Sequence, residues 1–336
     1  MPRRSPLSLD DVASFDTLAS AFWRAARAAR HGPEATRFAA RLDDELARLH
    51  DDILTGRAPD GRWTCFSIHD PKPRRILAPC FRDRVMHHAL MAHMGPVLDR
   101  ALIDDTFACR VGKGTLAAVF RAQHHLRRHP WFVKIDIRAY FASVDHGVLL
   151  GVLARRFKNP ALLALCTRIL ATTPDGPGRG LPIGALTSQH FANTYLDALD
   201  RFLLETLGVC GMVRYMDDVV WWCASREDAR ATLAEAQTFL ARERALEVKP
   251  DARLGRSVQG CNFLGFRVLP GALRLSLRRR RLYAAARRRW EQRYEARLID
   301  SATLQASYTA VQATIAHADA AAWRRAELAR RPSPDA

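Results

Sequence analysis

The chain has 336 residues, 48% of them hydrophobic, so it can bury a sizeable core and is not expected to be disordered. Its 52 lysines and arginines against 35 acidic residues give a net charge of +17, which favours a polyanionic partner, nucleic acid before an acidic membrane. No stretch reaches the roughly 18 to 20 apolar residues of a membrane span, and seven cysteines without a CxxC pair argue against a disulfide framework, so we expect a soluble, cytoplasmic protein with reduced thiols.

The N-terminal part of the chain mixes helical and β patterns. Apolar residues at helical spacing predict helices from about Ser14 to Leu54, broken at Gly32-Pro33. Short β-like runs follow from Trp63 to Leu77, around a turn at Asp70 to Pro73. The next segment, RDRVMHHALMAHMGPVL, predicts a helix that stops near Gly95-Pro96.

A strand, a helix, a loop and a second helix are predicted next. The run WFVKIDI, Trp131 to Ile137, has the character of a buried strand and carries Asp136 near its end. We predict a helix near His146 to Phe157, a loop rich in glycine and proline from Thr173 to Gly184, and a long amphipathic helix from about Thr187 to Leu207.

The segment GMVRYMDDVVWWC contains two apolar β runs that meet at Met216, Asp217 and Asp218, which predicts a hairpin with two aspartates at its tip. A helix from about Glu227 to Arg244 follows, and then the short strands LEVK and NFLGFRV. Counted from Trp131, the elements follow a β-α-β-β-α-β order. That order is typical of a ferredoxin-like sheet and predicts an α+β fold.

Beyond Pro270 the chain becomes helical and strongly basic, with arginine runs from Arg278 to Arg281 and from Arg287 to Arg289. Such runs are usually solvated helix faces, but in a nucleic-acid-binding domain they follow a phosphate backbone. Trp290 and Tyr294 lie four residues apart, on one helix face, and are interpreted as core. The last residues, RRPSPDA, are expected to form a disordered tail.

The two aspartates at the predicted hairpin tip carry the strongest chemical signal. Adjacent carboxylates repel each other and lose hydration when partly buried, so they require a cation. Asp136 ends a strand that a ferredoxin-like sheet places beside this hairpin. Three carboxylates at one sheet edge suit Mg²⁺, and two such ions support in-line nucleotidyl transfer. Taken alone, an Asp-Asp pair is usually a solvated turn, and the surrounding motifs decide between these readings.

Several motifs, in order, resemble those of reverse transcriptases. RYMDD, Arg214 to Asp218, resembles the Tyr-x-Asp-Asp motif, and KIDIRAYFASVDH, Lys134 to His146, resembles the first catalytic motif. GLPIGALTSQHFANTYLDALD, Gly180 to Asp200, resembles the loop and helix that hold the incoming nucleotide, and FLGFRV, Phe263 to Val268, resembles the primer-grip hairpin. KPRRILAPCFRDRVMHHAL and FACRVGKGTLAAV resemble fingers motifs. The match covers roughly Phe66 to Val268.

The resemblance implies a right-hand polymerase architecture with fingers, a ferredoxin-like palm and a helical thumb. We expect N-terminal helices and fingers over residues 1–130, a palm over 131–270 with a fingers insertion around 158–183, and a basic thumb over 271–330 before a tail at 331–336. The implied activity is that of an RNA-directed DNA polymerase with two Mg²⁺ ions, for which Mn²⁺ can substitute. The implied partners are template RNA, a primer or growing cDNA, and dNTPs, with no membrane partner.

Carried over position by position, the resemblance implies roles for individual residues. Asp136, Asp217 and Asp218 become the catalytic metal ligands, and Ile137 contributes its backbone carbonyl. Phe141 becomes the gate under the sugar that rejects a 2′-hydroxyl; the alternative is an ordinary core phenylalanine. The other implied nucleotide-binding residues are Lys72, Arg74, Arg75, Gly184, Gln189 and Lys249. The implied template and primer contacts are Arg110, Lys113, Tyr215, Met216, Leu264, Gly265, Arg278, Arg279 and Arg280.

The loop after Pro182 points to a subtype. Where group II intron enzymes carry Pro-Gln-Gly, this chain reads IGALTSQ, Ile183 to Gln189. Together with the methionine of YMDD and the short length, this loop resembles the reverse transcriptases of diversity-generating retroelements. Those enzymes copy a template RNA with errors at adenines and work with a small basic accessory protein. Two alternatives stay open: a reverse transcriptase of a phage-defence system, and a non-catalytic RNA-binding scaffold.

Overall fold

Helices lie at the N-terminal end of the chain. The computed structural model describes residues 4–29, 32–69, 73–174, 176 and 178–334. The first helices in these ranges are α1 (Leu9–Ala13), α2 (Phe15–Ala29), α3 (Pro33–Ala39) and α4 (Leu42–Leu54). The Ser8 hydroxyl accepts the Asp11 N–H and caps α1. Pro33 opens α3, where its missing N–H leaves no bond unmade, so the predicted break at Gly32-Pro33 is present.

A two-stranded antiparallel sheet and a long helix come next: β1 (Trp63–His69), β2 (Pro73–Pro79) and α5 (Phe81–Ala101). Most of the predicted turn between the strands, residues 70–72, lies outside the described residues. The prediction that the helix stops near Gly95-Pro96 is wrong, because α5 continues through both residues. Met94 and Leu98 are buried on either side of them. Packing against the core therefore holds the last turn, although Pro96 has no N–H to donate.

Helices precede and follow the first strand of the main sheet. In chain order the elements are α6 (Thr115–Arg128), β3 (Trp131–Asp136), α7 (Tyr140–Ser143), α8 (His146–Ala154), α9 (Pro160–Ala171), α10 (Leu186–Tyr195) and α11 (Asp197–Arg201). The helix predicted from Thr187 to Leu207 is divided at Leu196 and ends in a π-helical turn, Phe202–Thr206. α9 is an unpredicted helix, although the Asn159 side chain caps it and Pro160 begins it, both ordinary start signals.

The predicted hairpin is present as β4 (Gly211–Tyr215) and β5 (Asp218–Cys223), followed by α12 (Arg226–Arg244) and β6 (Arg253–Arg256). The prediction of a strand at LEVK is wrong, since Val248 makes only an isolated bridge to Ile137. The fourth strand is β6, which pairs with β3 from Trp131 to Lys134, and residues 246–249 lie beside the end of β3. NFLGFRV forms β7 (Cys261–Phe263) and β8 (Phe266–Val268), which join β9 (Leu273–Leu275) in a separate sheet.

The main sheet has the strand order β4-β5-β3-β6, and each neighbouring pair is antiparallel. Helices connect β3 to β4 and β5 to β6, while β4 and β5 form a hairpin. This is the predicted ferredoxin-like arrangement within the predicted α+β class. In the register of β3 and β5, Asp136 lies opposite Asp218.

Alternating side chains of the main sheet supply two separate cores. Val133 and Ile135 of β3 face the helices on one side and belong to the larger cluster. Phe132 faces the other side, into a second cluster with α6 and the sheet of β7, β8 and β9. Because side chains alternate along a strand, Lys134 and Asp136 share the face of Phe132. The acidic end of β3 therefore opens on the side of the second cluster.

The chain ends in three helices, α13 (Leu277–Glu295), α14 (Ser301–Ala313) and α15 (Ala321–Arg330). Tyr283 of α13 packs edge-on against Trp323 of α15, with ring centroids 5.4 Å apart. The disordered tail is expected at residues 331–336. Its first residue is held in place, because the Arg331 carbonyl accepts a hydrogen bond from Arg287 at 2.6 Å. None of the described helices is long and apolar enough to cross a membrane. All seven cysteines are free thiols, as expected.

Candidate active site

Two strand ends and one turn bring three carboxylates to one edge of the main sheet. Asp136 is the last residue of β3, and Asp218, its partner across the ladder, is the first residue of β5. Asp217 lies in the two-residue turn between β4 and β5. Met216, the other residue of the turn, has φ 58°, a left-handed conformation that reverses the chain at some energetic cost. The three predicted aspartates therefore lie on neighbouring strand ends.

A lysine faces each of two of these carboxylates. Lys249 Nζ lies 2.5 Å from Asp136 Oδ1, and the Lys249 backbone N–H donates to Asp136 O at 2.9 Å. Lys134 Nζ lies 3.0 Å from Asp218 Oδ1. Sequence analysis assigns a role to Lys249 but overlooks Lys134. The signal for Lys134 is its position two residues before Asp136, which puts both side chains on one face of β3.

Burial disfavours the ionised forms of the hairpin carboxylates. It raises the pKa of Asp218 to about 6, an effect that Lys134 opposes and that the charges of Asp136 and Asp217 increase. Burial also raises the pKa of Asp217, and the Asp136 charge adds to that shift. Repulsion among the three carboxylates is the unfavourable energy that a bound cation relieves.

The donor set fits a hard divalent cation such as Mg²⁺. Carboxylate oxygens are the ligands that Mg²⁺ takes from proteins, with water and substrate phosphates completing its shell. Asp218 Oδ1 is buried and accepts no hydrogen bond, although it lies close to Lys134. An oxygen with this environment has a lone pair left for a cation. We therefore regard Asp136, Asp217 and Asp218 as able to hold metal.

A second acidic cluster, absent from the sequence predictions, lies at the start of α5. Ligand atoms of Asp60, Cys80 and Asp83 all lie within 4.8 Å of one another, and among the described residues the three strand-end aspartates do not form such a tight group. The Asp83 oxygens accept the backbone N–H groups of Asp60 and Gly61, both at 2.9 Å, and Asp60 pairs with Arg82 at 2.6 Å. These bonds already satisfy the carboxylates, so this cluster fastens the loop before β1.

The two predicted arginines of β2 point to opposite faces, because they are successive residues of a strand. Arg74 is exposed and lies close enough to the acidic edge for its charge to lower the pKa of Asp217 against the effect of burial. Arg75 Nε donates to Cys65 Sγ at 3.1 Å on the other face. Lys72 lies outside the described residues. Of the two predicted nucleotide-binding residues of β2 that the structure describes, Arg74 is the one whose charge acts on Asp217.

The loop before α10 touches β2. The Leu77 N–H donates to Ile183 O at 2.8 Å. Gly184 has φ 130°, and a Cβ there would lie 2.7 Å from Leu77 O, so a larger side chain does not fit. Gly184 is a predicted nucleotide-binding residue, and the close approach that the structure shows at this glycine is that of the β2 backbone. Gln189 is exposed on the first turns of α10, and its Oε1 accepts a contact from Cys109 Sγ at 3.5 Å.

Ile137 and Phe141 flank the acidic edge. Ile137 directly follows β3 and is buried. Phe141 lies in α7 with its ring edge-on to Tyr140, at 5.7 Å between centroids. Its carbonyl accepts the Leu181 N–H at 2.7 Å, which ties α7 to the segment that leads into the loop before α10. Tyr140 is fully buried, but Phe141 is only half-buried, so part of its ring remains open to a ligand.

The structure places neither Arg110 nor Lys113 at an open surface, contrary to the prediction of template contacts. Arg110 is 10% exposed, and its guanidinium donates to Asp99 Oδ1 and Ile103 O, both at 2.6 Å. Lys113 Nζ pairs with Asp104 Oδ1 at 2.6 Å and is 18% exposed. Nearby carboxylates neutralise both cations, because the loop before α6 folds back on the end of α5. We leave both residues out of the proposed nucleic-acid interface.

The other predicted primer contacts lie at two turns. Tyr215 is half-buried, and its hydroxyl accepts a hydrogen bond from a threonine of α6 at 3.3 Å. Met216 is 9% exposed. Leu264 and Gly265 form the turn between β7 and β8, with φ 48° and φ 84°. A Cβ on Gly265 would lie 2.7 Å from Arg279 Nε, so this turn is packed against the start of α13.

The arginines of α13 divide between its two faces. The Arg279 guanidinium lies 4.2 Å from the centre of the Phe266 ring, and that of Arg280 lies 5.7 Å from the Trp323 ring. Both guanidinium groups lie over aromatic rings, so we leave their predicted contact with phosphate as a prediction. Arg278 is exposed, as predicted for such a contact. Five arginines of this helix are exposed, and we call them the arginine arc: Arg278, Arg281, Arg288, Arg289 and Arg293.

Known proteins resemble this chain in sequence. A family model described as reverse transcriptase (RNA-dependent DNA polymerase) matches residues 68–268. Protein YkfC of Escherichia coli K12 is 24% identical over 214 residues, which cover 60% of this chain and 55% of YkfC. The group II intron-encoded protein LtrA of Lactococcus lactis subsp. cremoris is 24% identical over 140 residues, which cover 40% of this chain and 23% of LtrA.

Among solved structures, apo telomerase from Candida tropicalis, truncated from its C-terminal domain, superposes with a TM-score of 0.48 at 11% sequence identity. The superposition covers 68% of this chain and 59% of that one. In sequence, the matched part spans about half the length of YkfC, at 55%, and a smaller part of LtrA, at 23%.

Proposed function

Because the chain belongs to the reverse transcriptase (RNA-dependent DNA polymerase) family, we propose that it is an RNA-directed DNA polymerase with Asp136, Asp217 and Asp218 as its catalytic carboxylates. The strongest support is the register of β3 and β5, in which Asp136 lies opposite Asp218 and Asp217 comes one residue earlier. The α+β fold is that of a right-hand polymerase. We assign the fingers to residues 1–130 with an insertion at 158–183, the palm to 131–270 and the thumb to 271–330.

The three carboxylates would hold two Mg²⁺ ions, with the Ile137 carbonyl as a further ligand, and Mn²⁺ would substitute. Bound there, the ions would lower the pKa of a primer 3′-hydroxyl and stabilise the pyrophosphate leaving group. Lys249 and Lys134 balance the charges of Asp136 and Asp218 in the protein alone. The two lysines thus offset part of the negative charge of the three carboxylates.

We assign each of the other side chains around this centre to the part of the substrate that it would contact. Arg74 and Lys249 would meet the phosphates of the incoming dNTP, because both carry charge close to the aspartates. The half-open ring of Phe141 would lie under its sugar. Tyr215, Met216 and the turn of Leu264 and Gly265 would hold the primer end. The arginine arc would follow the phosphate backbone of the template RNA and cDNA duplex.

Primer extension on an RNA template in Mg²⁺ tests the proposal. Asp217→Asn keeps the shape of the side chain but removes its charge, and we expect it to lower the rate by about 10³-fold or more. Asp43→Asn, on the exposed face of α4, is the matched control and should extend like the wild type. If the wild type binds the duplex without extending the primer, the chain is an RNA-binding scaffold and not a polymerase.

We further propose that the enzyme copies a template RNA with low fidelity in a diversity-generating retroelement, together with a small basic accessory protein. The support is the loop from Ile183 to Gln189, which departs from the Pro-Gln-Gly of intron enzymes. This loop lies against β2, which carries Arg74. A change there alters how tightly the nascent base pair is held, and looser geometry lowers discrimination between nucleotides.

Sequencing of the cDNA products tests this subtype. We expect misincorporation opposite template adenine to exceed that opposite the other three bases. A uniformly low error rate would reject the retroelement assignment while leaving the polymerase proposal intact, and would favour the enzyme of a phage-defence system.

A further inference from the structure

Arg214, the residue before Tyr215 in the RYMDD motif, is completely buried. Its side chain and that of Asp200 in α11 are both 0% exposed. Arg214 Nε lies 2.7 Å from Asp200 Oδ1, and Nη2 lies 2.6 Å from Asp200 Oδ2. A charge-assisted pair with two parallel hydrogen bonds fixes the plane of the guanidinium. Arg214 is therefore held in one orientation.

The same guanidinium also braces the turn that carries the catalytic pair. Nη1 donates to Asn193 Oδ1 at 3.0 Å and to Met216 O at 3.3 Å, and Nη2 donates to Asn193 O at 3.1 Å. Met216 O belongs to the planar peptide that joins Met216 to Asp217, so a bond to this oxygen fixes the direction in which Asp217 leaves the backbone. Met216 has φ 58°, a strained conformation that persists only where the surroundings enforce it.

Arg214 links this turn to two other elements. Asn193 lies in α10, which begins directly after the loop that touches β2, and its Nδ2 donates to the carbonyl of residue 108 at 2.6 Å. Thr106 Oγ1 donates to Asp200 Oδ2 at 3.2 Å. The backbone N–H and carbonyl of Arg214 each bond to the segment 105–107, both at 2.9 Å. The buried Arg214 thus joins the turn, α10 and the segment 105–107 before α6.

We propose that Arg214 is a positioning residue that aims the Asp217 carboxylate at the metal site, and that Asp200 and Asn193 hold Arg214 in place. This inference rests on the proposed function, because it assigns Arg214 to the same metal site. All three guanidinium nitrogens donate within the protein. Arg214 therefore reaches the reaction through the peptide between Met216 and Asp217, without touching substrate.

Arg214→Lys tests the proposal on the full chain without nucleic acid. Lysine keeps the charge opposite Asp200, but its three N–H groups lie on one nitrogen and cannot reproduce the planar fork that reaches Asp200, Asn193 and Met216 from three nitrogens. Mn²⁺ binding is measured by electron paramagnetic resonance, and the relevant sites are those lost in Asp217→Asn. We expect Arg214→Lys to weaken that binding about 10-fold to 100-fold, the usual effect of removing a group that orients a metal ligand.

Arg156→Lys is the matched control. Arg156 donates to Asp197 of α11 at 2.9 Å, so it is also an arginine paired with this helix, and among the described residues this side-chain hydrogen bond does not involve the turn. We expect both variants to lower the melting temperature and Arg156→Lys to bind Mn²⁺ like the wild type. If Arg214→Lys also keeps wild-type affinity, Arg214 only stabilises the fold and the proposal is overturned.

A milder variant covers the case in which Arg214→Lys does not fold. Asn193→Ala removes one acceptor of Arg214 Nη1 and leaves the buried ion pair intact, so it should weaken Mn²⁺ binding by a smaller factor. An unchanged affinity in a folded Asn193→Ala protein also overturns the proposal.

Primer extension separates this inference from the polymerase proposal. In Arg214→Lys we expect the rate at saturating dNTP to fall, while the dissociation constant for the primer-template stays at the wild-type value. A wild-type chain that binds Mn²⁺ at the turn but extends no primer contradicts the polymerase proposal alone. An Arg214→Lys chain with wild-type Mn²⁺ affinity contradicts only the positioning role.

Discussion

Gly184 has no room for a side chain, because the loop before α10 lies against β2. Its φ is 130°, and an added Cβ would lie 2.7 Å from Leu77 O and 2.9 Å from Ile76 Cγ2. Gly184→Ala therefore strains both the backbone and the contact, and we expect the free energy of unfolding to fall by about 1–3 kcal/mol. Because β2 carries Arg74, we also expect a higher KM for dNTPs in primer extension.

Gly114→Ala separates the two causes. Gly114 has φ 115°, similar to Gly184, but nothing lies within 4 Å of an added Cβ. This variant should lose stability through backbone strain alone and keep the wild-type KM for dNTPs. A wild-type KM in Gly184→Ala as well would show that the contact between the loop and β2 has no part in nucleotide binding.

Single residues differ in how far the sequence reveals them. Asp217 and Asp218 interrupt apolar strand runs and Asp136 ends another, so the local pattern marks all three as unusual, but the surrounding motifs are needed to favour a metal site over a solvated turn. The partners of Arg110 and Lys113 depend instead on how a loop folds back on the preceding helix. Residue spacing does not predict how this loop folds. The sequence therefore predicts a template contact for both residues.

At the scale of elements, the two faces of α13 predict different effects. Arg278 belongs to the exposed arginine arc, whereas Arg279 packs on Phe266. Arg278→Gln removes one phosphate contact, so we expect the slope of log Kd against log salt concentration to become shallower by about 1, with stability unchanged. Arg279→Gln loses packing, so we expect a lower melting temperature and an unchanged slope. Fluorescence anisotropy with an RNA–DNA duplex measures the slopes, and equal slopes would contradict the division of the helix.

Element order is better determined by the sequence than element boundaries are. Hydrophobic periodicity predicts β3, the hairpin of β4 and β5, and α12 because each buries an apolar face, but it does not predict α9 or β6. LEVK has a strand-like pattern, but β6 occupies the position beside β3, and only Val248 pairs there. α5 continues through Pro96 because tertiary packing outweighs a local signal. Such outcomes depend on neighbours that are distant in sequence.

At the scale of the whole molecule, the main sheet separates two layers that both support the acidic edge. Lys134 and Asp136 lie on the face of the second cluster, toward the thumb helices. Arg214 lies opposite Val219, whose side chain belongs to the larger cluster on the helical face. The acidic edge therefore has lysine charges on one side of the sheet and a buried arginine on the other. The ferredoxin-like order of elements predicts this sheet. It does not predict which charged side chains lie on each face of the sheet.

His87 makes the stability of the whole molecule depend on pH. It is buried in α5, 3.3 Å from Thr187 Oγ1 of α10, so it joins these two helices. Burial lowers the pKa of His87 from 6.5 to about 3. Between these values the unfolded chain binds a proton that the folded chain does not. The free energy of unfolding is therefore highest above pH 6.5 and falls as the pH drops below that value.

His87→Gln removes this dependence, because glutamine can hydrogen-bond to Thr187 and does not titrate. Urea unfolding at pH 7 and at pH 5 measures the effect, and the wild type should lose about 2 kcal/mol more than the variant between the two conditions. His317→Gln, at an exposed position, is the matched control and should follow the wild-type profile, because it changes no buried group. If His87→Gln loses stability as steeply as the wild type, groups other than His87 cause the acid sensitivity. In that case protonated His87 is solvated well enough for the chain to remain folded.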